Sequence, residues 1–428
     1  MKTRVASASG RLLTPKFGAA LLVVGVLALA FNLRTAITGL PPVFPELQSA
    51  LHISQSSLSV LAAIPVLCFG VFSGFGAPLS RRFGEERVLA AALLLLAAGL
   101  LMRSLSPSVL LFPGTIVAGG AIALMNVLLP SLVKRRDPDR AGVLIGLYLL
   151  MLAAGAIVAS LIAVPVFNAL ASSSGSAAAG SAAVRVTLGL WAGPALIAAV
   201  IWLPQLGHRT MPARLELTDP SRIRTGALAL GRSALAWQVT LFMGLQSLSY
   251  YATLSWFPTM FRDRGVTAAH AGDLLALMNL GNAVTALLIP MLAHRAPDQR
   301  RLAAWSMLAT GIGLAGAVFG PTALAAGFIL LLGLGQGATL GLGIFYTMAR
   351  AADPATAASL SAFAQAIGYL IASVGPLTIG FLHDASGGWT VPGLVLLGIV
   401  VLQLFTGWLA GRNLTVRASG GRVAADVL

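Results

Sequence analysis

The sequence predicts an all-α integral membrane protein of 12 transmembrane helices in two pseudo-symmetric six-helix bundles. Three observations predict it. The 428 residues are 57% hydrophobic and 10% charged, whereas a soluble domain carries about 25% charged residues. The apolar residues fall into 12 runs, most of them near the roughly 20 residues that a bilayer core requires. The two halves of the chain also match each other at an offset near 213 residues.

The runs cover 18–44, 57–79, 88–106, 109–133, 142–168 and 184–206, then 234–258, 270–293, 302–319, 321–349, 357–382 and 390–410. An even number places both termini on one side. If that side is cytoplasmic, it holds 23 of the 28 Lys and Arg residues, against four (Arg103, Arg185, Arg262 and Arg264) on the other face. That asymmetry sets the orientation by the positive-inside rule. The same clustering explains the net charge of +15. Nucleic-acid binding would need a basic patch interleaved with aromatics on a folded domain.

The N-terminus imitates a secretory signal, with Lys2, Arg4, Arg11 and Lys16 ahead of an apolar run and Ala28-Leu29-Ala30 as an apparent cleavage site. Cleavage is not expected, because eleven further spans follow and the repeat needs the first one. Cys68 is the sole cysteine, so it reads as a small packing residue. Residues 171–182, "ASSSGSAAAGSA", read as a flexible outer loop. Residues 207–233 read as a cytoplasmic linker between an N-terminal bundle (1–206) and a C-terminal bundle (234–428).

The repeat rests on three matches in chain order. "FPELQSALHIS" (44–54) aligns with "FPTMFRDRGVT" (257–267), and "RFGEERVL" (82–89) with "RAPDQRRL" (295–302), both at an offset of 213. "RRDPDRAG" (135–142) aligns with "AADPATAA" (351–358) at 216. Parallel duplication of six helices gives two bundles related by an axis along the membrane normal, with a solute site between them.

All 13 carboxylates and all five histidines fall in loops, tails or span ends. Proton pumps use intramembrane carboxylates, so coupling by that route is not expected. Arg34 is the charge expected inside the membrane. It marks the outer end of span 1 if that span is 17–33. Matching 234–257 back onto 21–44 instead places it near mid-membrane, which is the expectation adopted. A guanidinium there costs about 2.5–3.5 kcal/mol on insertion scales. The offset must come from carbonyls and water or from an anionic solute, which its planar fork of donors suits.

Uncharged polar residues cluster likewise: Asn32 in span 1, Asn126 in span 4, Tyr148 in span 5, Gln246, Tyr250 and Tyr251 in span 7, Asn279 and Asn282 in span 8, Gln336 and Tyr346 in span 10, and Gln365 and Tyr369 in span 11. Interhelical hydrogen bonding accounts for any one of them. It does not account for the near-absence of such residues from spans 3, 6, 9 and 12, where Gln403 stands almost alone. The candidate lining is therefore Arg34, Asn32, Asn126, Tyr148, Gln246, Tyr250, Asn279, Asn282, Gln336, Gln365 and Tyr369. Gly70-x-x-x-Gly74, Gly333-x-x-x-Gly337 and Gly337-x-x-x-Gly341 suit close helix packing. "GIGLAG" (311–316) matches a dinucleotide pattern, but it lies inside an apolar span with no strand before it. Pro41, Pro65, Pro130, Pro258, Pro290 and Pro376 fall in or at the ends of spans, where kinks assist gating.

Twelve spans with this duplication resemble the major facilitator superfamily. "NLRTAITGLPPVFPEL", "APLSRRFGEERVLAAALLLLAAGLLMR", "NVLLPSLVKRRDPDRAG", "LAWQVTLFMGLQSLSYYATLSWFPTMFRDRGVTAAHAG" and "SAFAQAIGYLIASVGPLTIGFLHDASGGW" are similar to its cyanate and 2-nitroimidazole transporter family. The Asn-Leu-Arg stretch is the most distinctive part. The superfamily's loop 2–3 motif, G-x-x-x-D-R-x-G-R-R, is altered here: Ala77 and Arg81 replace the first glycine and the aspartate, while Arg82 and Gly84 match. The candidate gating loop is Arg81, Arg82, Gly84, Glu85, Glu86 and Arg87. In it Glu85 or Glu86, paired to a nearby arginine, replaces the usual aspartate lock. The resemblance implies two bundles rocking about a central cavity, with spans 3, 6, 9 and 12 facing lipid. It also implies a small solute, cyanate or a nitroimidazole-like compound.

The function expected is a secondary active transporter of a small anion in the inner membrane, with a drug or nitroimidazole exporter as the alternative. An enzyme is not expected, since H-E-x-x-H, G-x-S-x-G and an intramembrane carboxylate pair are all missing. A channel fits the duplicated halves less well than alternating access. No metal, cofactor or nucleic acid is expected, and the partners are the solute and the bilayer around a monomer.

Overall fold

The computed structural model describes residues 15–172, 177–207, 229–296, 298–419 and 422–427. Helices occupy nearly all of it. Span 1 is Pro15–Thr38, span 2 is Gln55–Phe72 carried on by Gly76–Phe83, span 3 is Glu85–Leu105, span 4 is Pro107–Arg136 and span 5 is Ala141–Ala171. Span 6 is broken into Ala177–Gly189 and Ala192–Trp202. The second half holds span 7 (Ala234–Asp263), span 8 (Ala268–Arg295), span 9 (Arg300–Phe319), span 10 (Ala325–Ala349), span 11 (Pro354–Ser386) and span 12 (Thr390–Ala410).

Eleven helical stretches are long and apolar enough to cross a membrane by themselves. Span 7 is the exception, because Gln246, Ser247, Ser249, Tyr250, Tyr251, Thr253 and Ser255 interrupt its apolar character. Every residue from Gln246 to Phe261 is buried. Those polar groups meet protein instead of lipid, which is where an intramembrane polar group is tolerated. The halves meet where span 2 packs on span 11 and span 5 on span 8.

The internal repeat persists in backbone detail. Ser54 caps span 2 by accepting from the Ser57 amide, and its repeat partner Thr267 caps span 8 by accepting from His270. His52 has φ 51° and its partner Gly265 has φ 85°. Asp137 accepts from the Arg140 amide, and its partner Asp353 accepts from Thr356. Each pair ends one span and starts the next at the same point of its half.

Four expectations are corrected. Span 1 does not run to 44: its helix stops at Thr38, and a 3-10 turn at Pro41–Val43 leads into a short helix, Phe44–Leu51. Gly39 and the Pro41-Pro42 pair force that break, since proline lacks the amide donor and restricts its predecessor. The loop expected over 171–182 is helical from Ala177, because alanine is the strongest helix former. Its residues 173–176 lie outside those described. Arg103, counted with the charges of the outer face, is buried in the last turn of span 3, where it donates to Ala36 O at 3.3 Å. Gly74 faces open space instead of a helix, while Gly70 does approach Leu370 of span 11.

The expected linker 207–233 falls mostly outside the described residues. Its last residues are ordered, with Leu230 buried against Leu235 and Leu360. Beyond span 12, β1 (Leu414–Ser419) and β2 (Arg422–Val427) form an antiparallel hairpin that the sequence did not suggest. Val416 anchors it by donating to Arg350 O at 2.8 Å and accepting from the Ala352 amide at 3.0 Å.

The gating-loop residues separate by exposure. Arg81, Arg82 and Arg87 are exposed, while Gly84, Glu85 and Glu86 are buried. Gly84 has φ 87°, a left-handed value that glycine reaches without strain, and it turns the chain into span 3. Glu85 pairs with Arg135 and Glu86 with Arg136, so both acids join span 3 to the end of span 4. The pairing expected of Glu85 or Glu86 is present in both, and it lies within one half instead of across the two. Glu85→Ala should lower folding stability by about 3 kcal/mol, the low end for a broken buried pair because Arg135 stays partly solvated. Thermal melting in detergent checks this, and an unchanged transition would show the pair contributes nothing.

Candidate functional site

Span 1 ends one turn beyond Arg34, and this places the guanidinium against the middle of the 30-residue span 7. Its Nη1 donates to Tyr251 Oη at 3.1 Å. The guanidinium carbon lies 5.5 Å from the Tyr250 ring centre and 5.7 Å from that of Tyr251, within cation–π range. Tyr369 and Tyr148 complete the surround. Arg34 therefore lies against the middle of span 7, the segment that the repeat aligns with span 1. Among the described residues no carboxylate forms an ion pair with it.

The rings around Arg34 are continuous. Tyr250 and Tyr251 meet edge to face at 5.2 Å, and Phe69 of span 2 packs on Tyr251 and, at 5.4 Å, on Tyr369 of span 11. Tyr250 donates to Asn279 Oδ1 at 2.8 Å, and the Asn279 amide donates in turn to Leu275 O. Tyr148 lies 3.4 Å from Asn126 Oδ1.

A cavity of about 60 Å³ opens beside this cluster. Arg34, Tyr250, Asn279 and Asn282 supply its polar wall, and Leu152, Ala156 and Leu287 are among its apolar lining. Spans 1, 5, 7, 8 and 10 line it, and spans 3, 6, 9 and 12 do not. The Asn282 side-chain nitrogen is buried without a hydrogen-bond partner, so it is a donor available to a ligand. Span 8 is held in place by glycines of span 10. Gly333 meets Met278 O, Gly337 overlies Asn282 O, and Gly341 meets Ala286 O, each with no room for a Cβ. Gly313, from the "GIGLAG" stretch, packs the same way on Leu332.

Not every candidate reaches the cavity. Asn32 points into its own half, donating to Ala28 O and to Pro194 O of span 6. Gln246 donates to Gln336 O, and the Gln336 amide donates to Thr253 and Ser249, so both tie span 7 to span 10. Gln365 donates to Ser361 one turn away on its own helix. Helix rotation therefore makes Asn32, Gln246 and Gln336 ties to neighbouring helices, and Gln365 is tied within its own. Asn126, Tyr148 and Tyr369 are likewise absent from the cavity wall, which of the candidates only Arg34, Tyr250, Asn279 and Asn282 reach. Tyr251 was missing from the candidate lining, yet among the described residues it makes the side-chain hydrogen bond to Arg34. Its adjacency to Tyr250 was the available signal.

One end of the bundle is latched. Arg262 at the end of span 7 donates to both oxygens of Glu46, at 2.7 and 2.8 Å. Gln55 Nε2 lies 3.0 Å from His383 Nδ1, and Ser56 donates to Asp384 at 2.9 Å. Phe44 packs on Trp256 and Ser59 lies against Gly380 below them. These contacts join the span 1–2 connection to the ends of spans 7 and 11. The cavity lies further along, running from Asn279 toward Leu287 and thus toward the opposite end of span 8.

The family model for the Major Facilitator Superfamily matches residues 21–376. The chain belongs to the major facilitator superfamily. This facilitator is 40% identical to the 2-nitroimidazole transporter of Escherichia coli (strain K12), over 92% of this chain and 96% of that one. It is 30% identical to the cyanate transport protein CynX of the same strain, over 90% and 96%. A crystal structure of a D-xylose-proton symporter superposes with a TM-score of 0.73 at 16% identity, covering 96% of this chain and 99% of that one. The protein is thus a multi-pass membrane transporter of this fold.

Two outcomes are expected of this facilitator. Gly337→Ala should destabilise it by about 1–3 kcal/mol, because the new Cβ forces spans 8 and 10 apart. It should also slow transport, and normal melting with normal transport would show that the close approach is dispensable. Tyr251→Phe keeps the ring but removes one neutral hydrogen bond, worth about 0.5–1.5 kcal/mol. A several-fold rise in the half-saturation of transport is expected, and a change confined to the maximal rate would place Tyr251 in gating instead.

Proposed function

We propose that this facilitator carries a small anion such as cyanate across the inner membrane by alternating access, with Arg34 holding the negative charge. The observation that carries the proposal is the Arg34 guanidinium, against the middle of span 7 beside a cavity, flanked by phenols and without a carboxylate partner among the described residues. A charge so placed is an intramembrane functional residue by default. A bound anion would supply the missing counter-charge, with Asn282 and Asn279 offering amide groups and Tyr148, Tyr250 and Tyr251 setting the width. The 60 Å³ cavity has room for a few water-sized groups, since about 10–15 Å³ on this measure holds one water. That suits a solute of a few heavy atoms. The likeness to a cyanate transport protein supports the same solute. Both termini are placed in the cytoplasm on the strength of the charge asymmetry.

The second reading is export of nitroimidazole-like or other small neutral compounds. It rests on the 40% identity to a 2-nitroimidazole transporter and on the Tyr250, Tyr251, Phe69 and Tyr369 rings, which offer faces for a flat heterocycle. A resistance assay against an empty-vector control separates it from anion uptake.

Arg34→Ala should abolish saturable cyanate uptake in proteoliposomes while expression and melting stay near those of the parent. Unchanged uptake kinetics in that variant would remove the central claim.

A further inference from the structure

We infer that the carrier is an obligatory anion exchanger, in which the empty protein changes its facing far more slowly than the loaded one. The inference rests on the anion reading of Arg34 above and adds to it a mode of operation.

The physical ground is the set of groups around Arg34. They are the Tyr251 hydroxyl, the faces of Tyr250 and Tyr251, and the nearby phenols of Tyr369 and Tyr148. All are neutral, as are Asn279 and Asn282 across the cavity. Among the described residues, the carboxylates with side-chain or amide partners lie at or near span ends: Glu46, Asp263 and Asp384 at the latched end, Glu85 and Glu86 at the start of span 3, Asp137 and Asp353 ahead of spans 5 and 11, Asp273 early in span 8, and Asp298 before span 9.

One end of the bundle is latched and the cavity runs toward the other. To change facing, the protein must first close the open end as well. In that occluded state Arg34 loses the water of the cavity. A bound anion then forms a buried pair with it, whereas the empty site leaves a buried charge without a partner, which is strongly unfavourable. The loaded protein crosses the occluded state in either direction, and the empty one is held back.

Arg103 shows why the argument applies to Arg34 in particular. It too is buried without an acid, donating to Ala36 O. It lies within the packing of spans 1, 3 and 4, away from the cavity, so its surroundings move with its half. Its cost is the same in every state and cancels from the rate. That of Arg34 does not cancel, because its cavity opens and closes.

The full chain in proteoliposomes tests this with labelled cyanate outside. Unlabelled cyanate inside should raise the initial uptake rate by about 100-fold over empty vesicles, the factor that an unpaired buried charge implies. Equal rates with and without internal cyanate would overturn the inference. A second measurement follows the facing directly. Ser59 is buried against Gly380 beneath the latch, so Ser59→Cys in a Cys68→Ser background reacts with an impermeant maleimide only when that end opens. Labelling should be slow without cyanate and fast with it. Adding Arg34→Gln should make it fast without cyanate, because the neutral site can be occluded empty. Slow labelling of that variant would overturn the inference. A cyanate titration of the melting temperature distinguishes the two levels. No stabilisation by cyanate would defeat the anion reading and this inference together. Stabilisation that requires Arg34, alongside equal uptake rates, would defeat the exchange inference alone.

Discussion

The positive charge of Arg34, held between the two halves with no carboxylate partner among the described residues, sets the terms for the rest of the structure. The guanidinium of Arg34 must be kept away from lipid, so it faces the interior between the two halves. Its neighbours must tolerate a cation, so they are phenols and ring faces. Those neighbours are themselves polar, which makes span 7 too polar to cross a membrane unsupported. Span 7 is therefore enclosed along its length from Gln246 to Phe261. The hydrogen bonds of Gln246, Gln336, Ser249 and Thr253 then satisfy groups that would otherwise be buried alone.

Glycine governs how closely the supporting helices approach. Gly333, Gly337 and Gly341 bring span 10 onto the backbone of span 8 and set the position of Asn279 and Asn282 against the cavity. Without a strong hydrophobic drive between helices in lipid, such close contact is a main source of cohesion. The site is thus built from side chains of spans 1, 5, 7, 8 and 10, and it is located by the glycines that let span 10 approach span 8.

The duplication was kept where both halves need it and lost where only one does. Ser54 and Thr267, His52 and Gly265, and Asp137 and Asp353 are repeat partners that make the same caps or the same left-handed turn. Each half needs them to end one helix and start the next. At the centre the partner of Arg34 is Ser247, which donates to the neighbouring Gln246. Two unpaired cations facing one another would repel, so a single arginine suffices between the halves.

The sequence by itself determined the class and the number of spans, and it singled out Arg34 as the charge to look for between the halves. Those follow from hydropathy, charge asymmetry and a repeat, which are one-dimensional properties. It also showed which helices carry polar residues. It could not show which way they turn, because a polar residue on a helix looks the same whether it faces a cavity or a neighbour. Asn32, Gln246 and Gln336 therefore proved to be ties between helices, and Tyr251 proved to be the partner of Arg34. Arg103 counted only as a charge of the outer face until span 1 supplied the carbonyl that holds it. The latch between Glu46 and Arg262 joins residues far apart in the chain, and only the packing of the two halves brings them together. Rotation about a helix axis and approach between distant segments are set by packing, and local sequence pattern carries neither.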